Sequence, residues 1–244
     1  MDRYEVILAD TRHAGNIGAT ARAMKNFGFS RMTLVNPTSR AHIEAVKMAV
    51  GAEDVIENAT ITDTLKDALA PLDSAFAITR RPRRLRREAM TPPEGAGRLA
   101  GLEGRAGLVF GSEKFGLSNE QVRMCGAIVT IPTTPQAPSL NLSHAVTVIL
   151  YEIVRHEIVR RESGEAEGPR GRYASSPASL EERGKFYERL TETLVSAGFF
   201  NTPNADRTVS QVENIFNRAN LDRKDIKILL GAFKKIKRSI TGRS

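Results

Sequence analysis

Short apolar, β-branched runs recur along the first half of this chain, and their spacing is what most limits the folds open to it. They are YEVILA (4–9), MTLVN (32–36), SAFAIT (74–79), GLVFG (107–111) and AIVTIP (127–132). Each has the length of a strand buried on both faces, since a run this short and this apolar leaves no solvent side. Helical patterns lie between them at 16–27 before Gly28, 40–50 before Gly51, 62–70 before Pro71 and 118–125 before Gly126. The fourth opens Ser118-Asn119-Glu120-Gln121, the spacing of a capping box. A longer helix is predicted over 141–161, where Ala145, Val146, Ile149, Leu150, Ile153 and Val154 follow the 3.6-residue period. Strand and helix in alternation predict an α/β domain with a mostly parallel sheet covered on both faces.

The segment SGEAEGPRGRYASSPA (163–178) is rich in Gly, Ser, Pro and charge and has no period, which reads as a linker. It divides the chain into a domain at 1–162 and a second at 179–244. The second shows three amphipathic patterns: 179–197 with Phe186, Leu190 and Leu194, 206–219 with Val209, Val212 and Phe216, and 223–240 with Ile226, Leu229, Leu230, Phe233 and Ile236. Ser179 and Glu182 give the first of these a capping box, so a small helical domain is expected.

Charge narrows the partners. Thirty-six Lys and Arg against 28 Asp and Glu leave a formal charge of +8, which favours a polyanion bound through its phosphates. Aromatic residues are 6% of the chain and tryptophan is absent, so contacts to a structured RNA backbone fit better than extensive base stacking. A single cysteine, Cys125, excludes an intrachain disulfide, and the four histidines lack ligand spacing, so no metal is expected. No window is apolar enough for a membrane span and the N-terminus has no signal-peptide pattern, which points to a cytoplasmic protein.

Four segments carry possible chemistry. In LADTRHAGNIGATAR (8–22) a strand is predicted to run through a glycine-containing turn into a helix whose first N–H groups can receive an anion. The Gly15-x-x-Gly18 spacing lacks the GxGxxG fingerprint, leaving a nicotinamide cofactor only as an alternative. In that helix Ile17, Met24 and Phe27 form an inward stripe, while Arg22 stands about 140° from Ile17 and projects away with Gly18 and Lys25. A solvated surface arginine is the plain reading of that position. The second segment packs Arg80, Arg81, Arg83, Arg84, Arg86 and Arg87 directly behind a strand that ends at Thr79, where an open α/β sheet lines its ligand crevice. Phosphate binding is the expectation for such a run.

The third and fourth segments, FGSEKFGL (110–117) and PSLNLSHA (138–145), each follow a strand and turn into a helix. Gly111 and Gly116 permit close backbone approach to a ligand, and without GxxxxGK[ST] this is no P-loop. Glu113 is either an acceptor for a ribose or an amine, or a carboxylate placed to suit a helix N-terminus. Ser139 is either a site residue or an ordinary N-cap, and with no GxSxG elbow serine hydrolysis is disfavoured.

Taken in order, NIGATARAMKNFGF, GLVFGSEKFGLS and IPTTPQAPSLNLSHAV resemble the three motifs of the SPOUT methyltransferase superfamily. SAGFF and the segment from Val212 to Lys237 are similar to the C-terminal extension of a tRNA-acting group within it, so the resemblance spans nearly the whole chain. It implies an α/β-knot domain with a trefoil knot in its C-terminal half, a homodimer, and S-adenosyl-L-methionine as methyl donor. Carried onto this sequence, the cofactor loops include Thr79, Arg80, Gly111, Glu113, Ile131, Ser139, Leu140 and Asn141, while Arg22 and Ser139 fall on catalytic positions. The RNA-binding residues expected are Arg22, Arg81, Arg83, Arg84, Arg86 and Arg87. The implied reaction is 2′-O-methylation of a ribose in tRNA, at cytidine or uridine 32 of the anticodon loop; another tRNA or rRNA site, or a non-catalytic RNA-binding regulator, is the alternative. Ser112 stands where many members have arginine, and the Arg80 to Arg87 run is more basic than the usual loop.

An activated methyl leaves the protein mainly to align the hydroxyl and help its proton depart. A guanidinium holds its own proton too tightly to act as the base, so Arg22 is expected to clamp a phosphate.

Overall fold

The computed structural model describes residues 1–80, 89–163, 178–199, 205–218 and 221–241. The chain forms two compact units, Met1–Arg170 and Gly171–Ser244. In the first, the elements run β1 (Tyr4–Ala9), α1 (Ala14–Asn26), β2 (Arg31–Val35), α2 (Ser39–Met48), α3 (Glu53–Glu57), β3 (Thr60–Thr62), α4 (Leu65–Leu69), β4 (Ser74–Ile78), α5 (Pro92–Ala100), β5 (Ala106–Phe110), α6 (Asn119–Met124), β6 (Ala127–Val129) and α7 (Leu142–Glu162).

All six strands are parallel, in the order β3-β2-β1-β5-β4-β6. Both faces are covered, as the unbroken apolar runs require. Val6 and Leu8 of β1 join one core with Ile17 and Met24 of α1, Leu99 of α5 and Val146, Ile149 and Leu150 of α7. Ile7 faces the other way, where it meets Gly107 of β5 together with Leu69 and Leu72. The one charged residue inside β1, Glu5, is buried because Thr33 donates to one carboxylate oxygen and Arg105 to the other.

The connections around β4 and β5 run in opposite directions. From β4 the chain passes through α5 to β5 on the β1 side, and from β5 it passes through α6 to β6 on the far side of β4. Such a reversal opens a crevice at the carboxyl ends of the strands.

Several expectations are corrected. The pattern at 62–70 begins as the edge strand β3 and turns helical only at Leu65, where the Thr64 hydroxyl caps α4 by accepting from Asp67 N–H at 3.2 Å. Gly15 and Gly18 make no turn, because α1 already begins at Ala14. They thin the helix surface instead: a Cβ on Gly18 would lie 3.1 Å from the Met48 carbonyl carbon and 3.2 Å from the Ala45 oxygen of α2. The turn before α1 is made by Asp10, a non-glycine residue at φ 56°. Helices α3 and α5 were not expected from the sequence patterns.

The second unit has α8 (Leu180–Ser196), α9 (Ala205–Arg218) and α10 (Arg223–Thr241). Its buried hydrophobic residues, among those described, are Ala178, Phe186, Leu190 and Ile226, with Leu194, Val212, Phe216, Leu229, Leu230 and Phe233 packed around them. Phe186 is the hub, its ring centroid 5.1 Å from Phe216 and 6.0 Å from Phe233. Ile236 was expected on the inward stripe but stands 46% exposed, one turn past the point where this small core ends.

Candidate active site

The carboxyl ends of β4, β5 and β6 and the start of α7 enclose a cleft of about 300 Å³, a size at the lower end of small-molecule sites. Thr79 and Arg80 leave β4, Gly111 to Leu117 form the loop after β5, Ile131 follows β6, and Ser139 and Leu140 precede α7. Three segments separate in sequence therefore meet on one side of the sheet.

The loop after β5 closes tightly on itself. Gly116, at φ 68°, donates its N–H to the Ser112 carbonyl at 2.8 Å and forms an isolated bridge with Ser112. A Cβ on Gly111 would sit 2.2 Å from the Gly116 carbonyl carbon and 2.3 Å from the Leu117 nitrogen, which no rearrangement of a side chain relieves. The absence of a side chain at Gly111 thus serves the approach of the chain to itself. Ser118 then caps α6: its hydroxyl accepts from Gln121 N–H at 3.1 Å and its own N–H donates to Gln121 Oε1 at 2.9 Å.

Side chains from the β1–α1 region tie this loop down. Asn16 of α1 donates to Glu113 Oε1 at 2.9 Å and accepts from Asn141 Nδ2 at 2.9 Å. Asn141 is in turn the N-cap of α7, accepting from Ser143 N–H at 2.9 Å. Asp10 forms a second tie, accepting from Gln121 Nε2 at 2.9 Å with one oxygen and from Asn36 Nδ2 at 2.9 Å with the other. Glu113 is accordingly a held acceptor facing the cleft, and the cap on α7 is Asn141, so the alternative of Ser139 as an N-cap is set aside.

Of the residues expected at the cofactor site, Thr79, Arg80, Gly111, Glu113, Ile131, Ser139 and Leu140 line the cleft. Asn141 stands just behind the lining in the hydrogen-bonded chain through Asn16. Arg22 is outside the lining, exposed on α1, six residues or about 9 Å along the helix from Asn16. Gly18, expected on the same outward face, is buried against α2. Arg81, Arg83, Arg84, Arg86 and Arg87 lie outside the described residues. Asn16, Asp10 and Gln121 lay in segments the sequence singled out without being given a role at the site; Asn16 opened the first family motif and the capping box at 118–121 marked Gln121. Among the described residues no group of three or more His, Cys, Asp and Glu is placed to hold a metal, and no helix is long and apolar enough to cross a membrane.

The lining suits a nucleoside-bearing cofactor in kind. Ile78, Ile131, Leu142 and Ala145 offer apolar walls for a flat base, while Thr79, Glu113 and Ser139 offer hydroxyls and a carboxylate for sugar hydroxyls and an amine.

Comparison with known proteins gives the family of the chain. Residues 3–151 match the SpoU rRNA Methylase family, so the chain belongs to the SpoU methylases. Residues 181–244 match the tRNA methyltransferase TrmJ C-terminal domain. Among curated relatives, the tRNA (cytidine/uridine-2'-O-)-methyltransferase TrmJ of Pectobacterium atrosepticum is 34% identical over 98% of each chain, and that of Klebsiella pneumoniae is 33% identical over the whole of both. The crystal structure of TrmJ from Z. mobilis ZM4 superposes with a TM-score of 0.80 at 28% identity, covering 96% of this chain and 98% of that one. A probable methylase family protein from Haemophilus influenzae Rd KW20 follows at a TM-score of 0.63 and 26% identity, covering 100% of this chain and 99% of that one.

Proposed function

We propose that this chain transfers a methyl group from S-adenosyl-L-methionine to a ribose 2′-hydroxyl of tRNA, at cytidine or uridine 32 of the anticodon loop. The observation that carries the reading is the convergence of the loops after β4, β5 and β6 and the start of α7 on one cleft, with seven of the eight expected cofactor residues in its lining. Full-length similarity to tRNA (cytidine/uridine-2'-O-)-methyltransferases supports the substrate.

When bound, the cofactor supplies an activated sulfonium methyl, which leaves the protein the work of positioning. Thr79, Gly111, Glu113, Ile131, Ser139 and Leu140 hold it, and the Asn16 bridge keeps Glu113 and the start of α7 in register. Ser139, in the same lining, is the second residue on an expected catalytic position. Arg22 grips the phosphate beside the target ribose and keeps its own proton. The arginines at 81, 83, 84, 86 and 87, with exposed Lys234, Lys235 and Arg238 of α10, add phosphate contacts along the tRNA. The same reading includes a homodimer, a trefoil knot through the crossing connections of β4 and β5, domains at 1–162 and 179–244 joined by a linker, and work in the cytoplasm.

Purified protein, S-adenosyl-L-methionine and unmodified tRNA are expected to give one ribose methyl at nucleotide 32, located by mass spectrometry of nuclease fragments. A methyl on a nucleobase refutes the chemistry. A ribose methyl elsewhere keeps the chemistry and refutes the position.

A further inference from the structure

Phe115 is the most exposed large hydrophobic side chain among the described residues, at 78%, and it belongs to the lining of the cleft. An aromatic ring turned to solvent forgoes the burial that normally draws it inside, so its surroundings decide what covers it. The ring is held out at the tip of the loop closed by the Ser112–Gly116 bridge, where Phe115 N–H also reaches Ser112 Oγ at 3.4 Å. These bonds fix the backbone that carries the ring, so the contact is in part pre-organised. Its neighbours are cationic: Lys114 Nζ lies 5.1 Å from the ring centroid, and exposed Arg80 lies in the same lining. Leu140, 42% exposed, supplies a second apolar surface in that lining.

A protein partner seeking an apolar anchor meets two positive charges at this mouth. A nucleotide meets a face for its base and cations for its phosphates. We infer that Phe115 is a stacking platform for an unpaired base of the RNA substrate, seated at the mouth of the cofactor cleft in a lining that also holds Lys114 and Arg80. The inference rests on the proposed RNA methyl transfer and adds to it the residue that receives a base splayed out beside the target ribose.

Two variants test it on the full-length protein. Phe115→Ala is expected to lower kcat/KM for tRNA by about five- to a hundredfold, the loss that removing one base–aromatic stack brings, with S-adenosyl-L-methionine affinity by calorimetry unchanged. Phe115→Tyr should restore it. Because the chain has no tryptophan, Phe115→Trp places a single fluorescent ring at this point. Its emission should be that of an exposed indole and should be quenched on adding tRNA in saturating S-adenosylhomocysteine. Equal loss of tRNA and cofactor affinity in Phe115→Ala overturns the inference by making the ring a cofactor wall. Blue-shifted emission that changes on dilution and ignores tRNA overturns it by making a second copy of the chain the cover. If the wild-type protein transfers no methyl to tRNA, the functional reading fails, while quenching in Phe115→Trp still decides whether the ring meets RNA.

Discussion

In the sheet-bearing unit, burial is spread over several strands of the sheet and the helices on its faces, so no single side chain carries the core. In the helical unit, one ring, Phe186, touches Tyr187, Phe216 and Phe233 and stands at the centre of what is buried. The first arrangement distributes the consequences of a substitution, while the second concentrates them. It also separates locations: the lining of the cleft sits at strand ends fixed by the distributed core, and the helical unit has a core of its own.

The largest effect should come from emptying the hub. Phe186→Ala is expected to cost about 3–5 kcal/mol, which for a core of this size is most of what holds it. Helical circular dichroism should fall while cofactor binding by calorimetry persists; joint loss would show that the two units unfold as one. Next is Arg22→Ala, expected to cut methyl transfer at least about a hundredfold through lost alignment. Its melting temperature and cofactor affinity should stay within error, and cofactor binding lost along with activity would contradict a role on the RNA.

Equivalent caps give a finer comparison. Ser118→Ala in α6 and Ser179→Ala in α8 each remove the serine of a capping box, at about 1 kcal/mol. In the smaller unit the same loss should move the melting temperature about twice as far, because less enthalpy stands behind the transition. Equal shifts measured by calorimetry would argue for a single cooperative body.

The smallest effect is one of pH. Burial alone would raise the Glu182 carboxyl, but hydrogen bonds from Ser179 N–H and the Arg223 guanidinium outweigh it and hold the group below its ordinary 4.5. A lowered folded-state value means the stabilisation is complete above about pH 4.5 and is lost as pH falls through the folded value. The box in α6 uses Gln121, which does not titrate. Glu182→Gln should therefore flatten the acid side of the helical unit's stability curve, read by circular dichroism, and leave the sheet-bearing unit unchanged.

What the sequence made legible was whatever is local. Strands buried on both faces announce themselves as apolar runs, and Ser118 and Ser179 mark helix starts three residues ahead of their partners. Helix α5 was hidden because Pro92, Pro93, Gly95 and Gly97 read as loop, although Thr91 and Glu94 form a capping box. Gly95 is there for packing: a Cβ on it would meet Val129 at 2.8 Å. Edge strand β3 was missed because TIT is mostly exposed and shows no apolar run. The polar ties of the site were beyond any local pattern, since Asn16 reaches residues 97 and 125 positions away and Asp10 one 111 positions away. Family motifs led to Glu113 and Asn141, but only the fold shows that Asn16 joins them.

Asp10 and Asn36 both occupy the left-handed region, at φ 56° and 49°, where glycine rests with less strain. Glycine at either position would relieve that strain and delete the carboxylate or amide that links β1, β2 and α6 at the edge of the cleft. Each residue therefore exchanges backbone ease for a fixed link, and glycine would gain stability only if the relieved strain outweighed the hydrogen bonds lost with the side chain.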